Sequence, residues 1–153
     1  MSKLLLNLPD AFPFRTEIDV RITDVNYGQH VGHDSMLSIL HEARMRFLQT
    51  FGASETDVGG CGLIMTDTAI QFNAEVTYPS RLVCEVAFAD PSRSAFDLYY
   101  CVTRAEDGVR VAAAKTGMLC FDYTRRRPAR MPSAFRAHFP VPADGTASGS
   151  DHA

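Results

Sequence analysis

Nowhere in the 153 residues does an apolar run approach the roughly 20 residues that cross a bilayer. The triplet Leu4-Leu5-Leu6 behind a single Lys3 is too short for a signal peptide and lacks a small-residue cleavage pattern, so the chain reads as cytoplasmic, with no membrane partner. Cysteine is scarce. Cys61, Cys84, Cys101 and Cys120 lie far apart, and no pair has zinc-site spacing. Cys84, Cys101 and Cys120 sit in strand-like apolar runs, where a thiol behaves as a small hydrophobe, and all four are expected to be reduced in that compartment. An excess of positive charge is missing too: the net charge of −3 argues against a general nucleic-acid binder.

That charge is uneven. Residues 1–80 carry five Lys/Arg against ten Asp/Glu, while residues 81–153 carry ten against eight. Four of the later arginines fall in "RRRPAR", residues 125–130, a cluster able to meet phosphates or simply a solvated strand end. No internal repeat divides the chain, and its length suits one domain that buries a core without staples.

A lead over residues 1–14, punctuated by Pro9 and Pro13, precedes "RTEIDVRI", where Ile18, Val20 and Ile22 alternate with charged residues as in a half-buried strand. From Asp34 to Phe51 the period changes. Met36, Leu40, Ala43, Phe47 and Phe51 form one helical stripe, and Gly52 supplies a stop. Four further strands follow in "LIMTDTAIQF", "RLVCEVAFAD", "AFDLYYCVTR" and "VRVAAAKTGMLCFDY", the last two joined by the hairpin signal "AEDG". Residues 140–153 are rich in Pro, Gly, Ala and Ser and are expected to be disordered. The reading is an α+β fold with one domain over residues 15–139: a long helix wrapped by an antiparallel sheet of about five strands. The exposed edges of such a sheet favour pairing with a second copy.

Between the first strand and the helix lies "DVNYGQHVGHD", residues 24–34, dense in acids, histidines and glycine. With its flanks, "RITDVNYGQHVGHDSMLSILHEARMRFLQTFG" resembles the strand-loop-helix opening of hot-dog-fold acyl-CoA thioesterases of the 4-hydroxybenzoyl-CoA thioesterase type, whose pattern is approximately D-x-D-x-x-G-H-V-N-N followed by E-x-A-R. Asp24, His30, Val31, Leu37, Glu42, Ala43 and Arg44 fall in register without a gap. The likeness runs over about residues 15–136. Departures cluster in the loop: the second acid is Asn26, the glycine before the histidine is Gln29, and the paired asparagines are Gly32 and His33.

The resemblance implies hydrolysis of acyl-CoA thioesters by a homodimer or homotetramer, with coenzyme A arriving as part of the substrate and no other cofactor or metal. Thioester hydrolysis needs a base or nucleophile at the carbonyl carbon and donors at its oxygen. A helix N-terminus supplies the donors, and Gly32 allows close approach. Asn26 has no basic lone pair of carboxylate strength, so Asp34, Asp24 and His30 are the remaining candidates for catalysis, with Asn26 left a polar role. Asp34 reads equally as the helix N-cap and Asp24 as a loop cap. Tyr27, Gly28, Gly32, His33 and Ser35 are candidates for lining the substrate, and Arg125, Arg126 and Arg127 for its phosphates. Glu42 and Arg44, two positions apart, do not share a helix face. Two other readings stand beside hydrolysis: a hot-dog dehydratase or hydratase using His30 with Asp34 across the interface between copies, and a non-catalytic acyl-CoA or lipid-binding module.

Overall fold

The protein is described here from a computed structural model, which describes residues 4–140. The expected tail lies outside those residues apart from Pro140. Elements run β1 (Phe14–Asp19), a 3-10 turn (Ile22–Asp24), α1 (His33–Gln49), β2 (Gly62–Phe72), β3 (Arg81–Ala89), β4 (Ala95–Arg104), β5 (Arg110–Asp122), β6 (Arg127–Pro128) and a short α2 (Ser133–Arg136). All strand pairs are antiparallel, in the order β1-β3-β4-β5-β2, with the two-residue β6 added against β5. The expected five strands are thus present, plus one short strand that follows the turn at Arg125–Arg126.

The sheet is wrapped around α1, whose 17 residues extend about 25 Å at 1.5 Å per residue. Met36, Leu40, Ala43 and Phe47 of the expected stripe are buried, joined by Ile39 and Leu48. They meet alternate residues of the strands. In β4 the series Phe96, Leu98, Tyr100 and Val102 is fully buried while Asp97, Tyr99 and Cys101 on the other face are only half-buried, the alternation that a pleated strand imposes. One apolar cluster unites the helix, the inner sheet face and Met131 and Phe135 beside α2.

The first strand ends earlier than its alternation predicts. β1 stops at Asp19, and the 3-10 turn swings Ile22 outward, leaving it 62% exposed while Ile18 and Val20 stay in the core. The four cysteines are free thiols, and burial pushes Cys84 and Cys120 up to about 12. Among the described residues no helix is long and apolar enough to cross a membrane.

Candidate active site

The loop from Asp24 to Asp34 is held by its own backbone. Val25 and Val31 form a bridge, the Asn26 N–H donates to His30 O at 2.7 Å, and the Gln29 N–H donates to Asn26 O at 2.9 Å. Val31 and Gly32 extend these ties by donating to Val76 O and Asp24 O. The turn requires φ of 66° at Gln29, in the left-handed region that suits glycine. That requirement accounts for the glycine at this place in the thioesterase pattern.

Within the loop the polar side chains divide into those consumed by structure and those left open. Asp24 is buried, 4% exposed; its carboxylate accepts from the Arg21 N–H at 2.8 Å and pairs with the Arg21 guanidinium at 3.1 Å. It closes the 3-10 turn. Asn26 Oδ1 accepts from the N–H groups of Gly28, at 3.0 Å, and His30, at 3.3 Å, an Asx turn that commits its carbonyl and leaves the amide nitrogen. His30 turns away from the helix, with Nε2 at 3.1 Å from Glu75 Oε2. It is therefore not paired with Asp34. Tyr27 and Gly28 stand exposed at the loop tip.

Asp34 is not the N-cap. The cap is Gly32, in extended conformation, and no side chain bonds to the helix end; Asp34 lies in the first turn, exposed. Helix geometry decides this: the Met36 N–H closes the first bond onto Gly32 O at 3.0 Å, so His33, Asp34 and Ser35 form the turn whose donors precede it. A Cβ placed on Gly32 would come within 2.7 Å of Asp34 Oδ1 and 3.6 Å of Asn26 Nδ2. Carboxylate, amide and uncapped helix turn thus converge on Gly32, a position that has no side chain. This arrangement can orient water at a carboxylate beside backbone donors aimed at a carbonyl oxygen.

Starting at the neighbouring His33, a cleft of about 600 Å³ runs between α1 and the sheet. Its helix wall is His33, Leu37, Ser38, Leu40, His41 and Arg44, and its sheet wall is Met65, Thr68, Ile70 and Phe72 of β2 with Thr116 of β5. His33 sits at the mouth, its ring edge-to-face with Phe72 at 4.5 Å between centroids. Leu37, Met65 and Phe72 are all exposed, so the apolar wall reaches the free edge of β2.

Glu42 and Arg44 part onto different faces, as their spacing implies, and the arginine turn falls away from the loop. Arg44 is 4% exposed and donates from Nη1 to the Tyr100 hydroxyl at 3.1 Å, which in turn lies 2.7 Å from the Thr116 hydroxyl; Glu42 pairs instead with Arg46 at 2.7 Å on the outer helix face. His41, Glu55, Tyr100 and Thr116 had no local signal, because they come together only through the fold. Arg125, Arg126 and Arg127 are exposed at the turn between β5 and β6. Since Phe121 pairs with Gly62 and with Pro128, while His33 contacts Phe72, this turn lies at the opposite end of β2 from the loop, about 30 Å away at ~3.3 Å per residue.

Among solved structures the chain is similar to a 1,4-dihydroxy-2-naphthoyl-CoA thioesterase from Synechocystis, 24% identical, with 81% of this chain and 93% of that one covered and a TM-score of 0.74. It is similar also to a thioesterase superfamily protein from Jannaschia, at 19% identity, 86% and 83% coverage and a TM-score of 0.75. A DHNA-CoA thioesterase from Staphylococcus aureus aligns at 20% identity, 90% and 88% coverage and a TM-score of 0.70. At these identities the likeness establishes the shared fold. No curated protein matches the chain by sequence. The family model of the thioesterase-like superfamily matches residues 20–139, which take in the loop, the helix and all the strands after β1, and the chain belongs to that superfamily.

Proposed function

We propose that the protein hydrolyses acyl-CoA thioesters, releasing a carboxylic acid and coenzyme A. The observation that carries this reading is the exposed Asp34 carboxylate lying over Gly32 at an uncapped helix N-terminus, next in the chain to His33, which lines an apolar cleft. The carbonyl oxygen takes hydrogen bonds from the first-turn N–H groups. Asp34 accepts a proton from water as the water oxygen bonds to the carbonyl carbon. The carbon–sulfur bond then breaks, and the thiolate recovers a proton through Asp34. The Asn26 amide nitrogen orients the water or the carbonyl. This chemistry calls for no cofactor beyond the coenzyme A of the substrate, and the reading keeps the cytoplasmic assignment.

The separation of the loop from Arg125–Arg127 supports a homodimer as the working unit. Antiparallel pairing of the free β2 edge with a second copy about a twofold axis brings the Gly62 end of one β2 beside the Phe72 end of the other. The partner's arginine turn then approaches this chain's Asp34, where it meets the nucleotide phosphates. The same pairing covers the exposed Met65 and Phe72.

A screen for thiol release from short, long and aromatic acyl-CoAs tests the activity, and sedimentation at micromolar concentration tests the dimer. Cleavage of at least one class, abolished by Asp34→Asn, is expected. Binding of acyl-CoA without thiol release from any class would instead make the protein a carrier module.

A further inference from the structure

The inner end of the cleft is unexpectedly polar. Arg44, His41 and Thr116 line it beneath walls that are otherwise mostly apolar. The Arg44 side chain is 4% exposed, its Nε has no hydrogen-bond partner, and Glu55 Oε1 stands 3.6 Å from that nitrogen, too far for a hydrogen bond. Glu55 Oε1, also without a hydrogen-bond partner, is nearer to His41 Nε2, at 2.7 Å, a close contact that lacks hydrogen-bond geometry. With Nε2 facing Glu55, the other polar atom of the imidazole is Nδ1, on a ring that lines the cleft and is more than half exposed. A cleft meant only for a plain hydrocarbon chain would gain nothing from a buried guanidinium and an oriented imidazole at its end, since desolvating them costs free energy.

Resting on the hydrolase reading for the position of the thioester, we propose that this inner end recognises a neutral oxygen, a hydroxyl or carbonyl, carried far along the acyl chain. The oxygen is neutral because Glu55 already balances the Arg44 charge and would repel a second carboxylate. Its distance from the thioester follows from the helix. His41 lies eight residues beyond His33, about 12 Å at 1.5 Å per residue, and helical side chains lean back toward the N-terminus, so the polar groups sit about 10–12 Å from the carbonyl. Carbon–carbon bonds of about 1.52 Å at tetrahedral angles advance about 1.25 Å each along an extended chain. The oxygen therefore belongs about eight to ten bonds from the carbonyl carbon. A hydroxyl at that depth accepts from or donates to His41 Nδ1 according to the ring's protonation, and the guanidinium lies beside it.

The test measures dissociation constants by calorimetry for non-hydrolysable thioethers on the full chain: S-decyl-CoA against S-(10-hydroxydecyl)-CoA, and S-butyl-CoA against S-(4-hydroxybutyl)-CoA. A hydrogen bond to an oriented partner is worth roughly tenfold in affinity. The long hydroxylated analogue should bind about tenfold tighter than its parent, and the short one should show no gain. His41→Leu should reduce the long-chain ratio to about one, while His41→Gln, which keeps an acceptor, should retain part of it. Equal affinities for the long pair, failure of both long analogues to bind, or a ratio unchanged in His41→Leu would each overturn the proposal. Because thioethers do not turn over, the outcomes separate from those for hydrolysis. A tenfold preference without thiol release from any acyl-CoA would sink the hydrolase and keep the recognition site, and thiol release without the preference would do the reverse.

Discussion

In the Asp24–Asp34 loop the polar groups come from eleven consecutive residues, exposed or half-exposed apart from Asp24, and tied together by backbone hydrogen bonds and one Asx turn. At the Arg44 end they come from residues 41, 44, 55, 100 and 116, on the helix, a loop and two strands, and only His41 is more than half exposed. The difference separates chemistry from architecture. A loop supported by its own backbone can change side chains with little effect on the core, as the departures at residues 26, 29, 32 and 33 illustrate. A buried guanidinium with partners on two other segments cannot be altered without unfolding cost.

The sharpest test of that contrast is Arg44→Ala, which takes the buried guanidinium away from Glu55 and the Tyr100 hydroxyl and leaves them only His41 and Thr116; breaking a buried pair costs about 3–5 kcal/mol, so the thermal midpoint should fall by roughly 10 °C. A fall of only a degree or two would mean that the inner end is no more structural than the mouth. Asp34→Asn should do the opposite, lowering turnover by about 10²-fold while calorimetry finds the melting temperature within a couple of degrees of the parent. Gly32→Ala sharpens the point: its backbone conformation is ordinary, yet the new methyl meets Asp34 Oδ1 at 2.7 Å, so kcat should drop with the fold intact.

Asn26 tests whether the mouth has any structural duty. Asn26→Ala removes the acceptor for the Gly28 and His30 N–H groups and should cost about 1 kcal/mol in stability together with a loss of turnover. Asn26→Asp keeps that acceptor and restores the carboxylate of the thioesterase pattern, so its kcat should hold or rise. An alanine variant with unchanged kcat would reduce Asn26 to a turn residue.

The smallest effect is expected outside the cleft, on the outer sheet face, where Lys115 reaches Asp67 at 2.8 Å. The lysine hydrogen bond holds the Asp67 carboxyl below the usual carboxylate range, and the same bond raises Lys115 above its ordinary value. For the lowered Asp67 the stabilisation is present above the unfolded carboxylate pKa and is lost as pH falls through the folded one. For the raised Lys115 it is present below the unfolded lysine pKa and is lost as pH rises through the folded one. The exposed pair is worth under about 1 kcal/mol. Asp67→Asn should therefore lower the melting temperature by a degree or two at neutral pH, and by nothing once acid has protonated the carboxylate. A larger shift would make the outer face comparable with the buried end.

Legibility followed the same division. The helix was readable because Met36, Leu40, Ala43 and Phe47 repeat on one face, and the strands because β-branched and aromatic residues alternate, as in Phe96 to Val102. The loop stood out because its residues are neighbours in sequence. Its internal assignments did not, since whether Asp34 or Gly32 caps the helix depends on where the backbone first closes, and whether His30 faces Asp34 or Glu75 depends on a segment forty-five residues on.

By itself the sequence determined the α+β class, the order of the main elements and the position of the polar loop before the helix, because periodicity and turn chemistry act between residues close along the chain. Only the tertiary structure decided that His30 faces Glu75, that Arg125–Arg127 lie at the far end of β2, and that Arg44 meets Tyr100 and Glu55 while Tyr100 in turn meets Thr116. Contacts between distant residues depend on strand register and on how the sheet curves around the helix, and a local pattern carries neither.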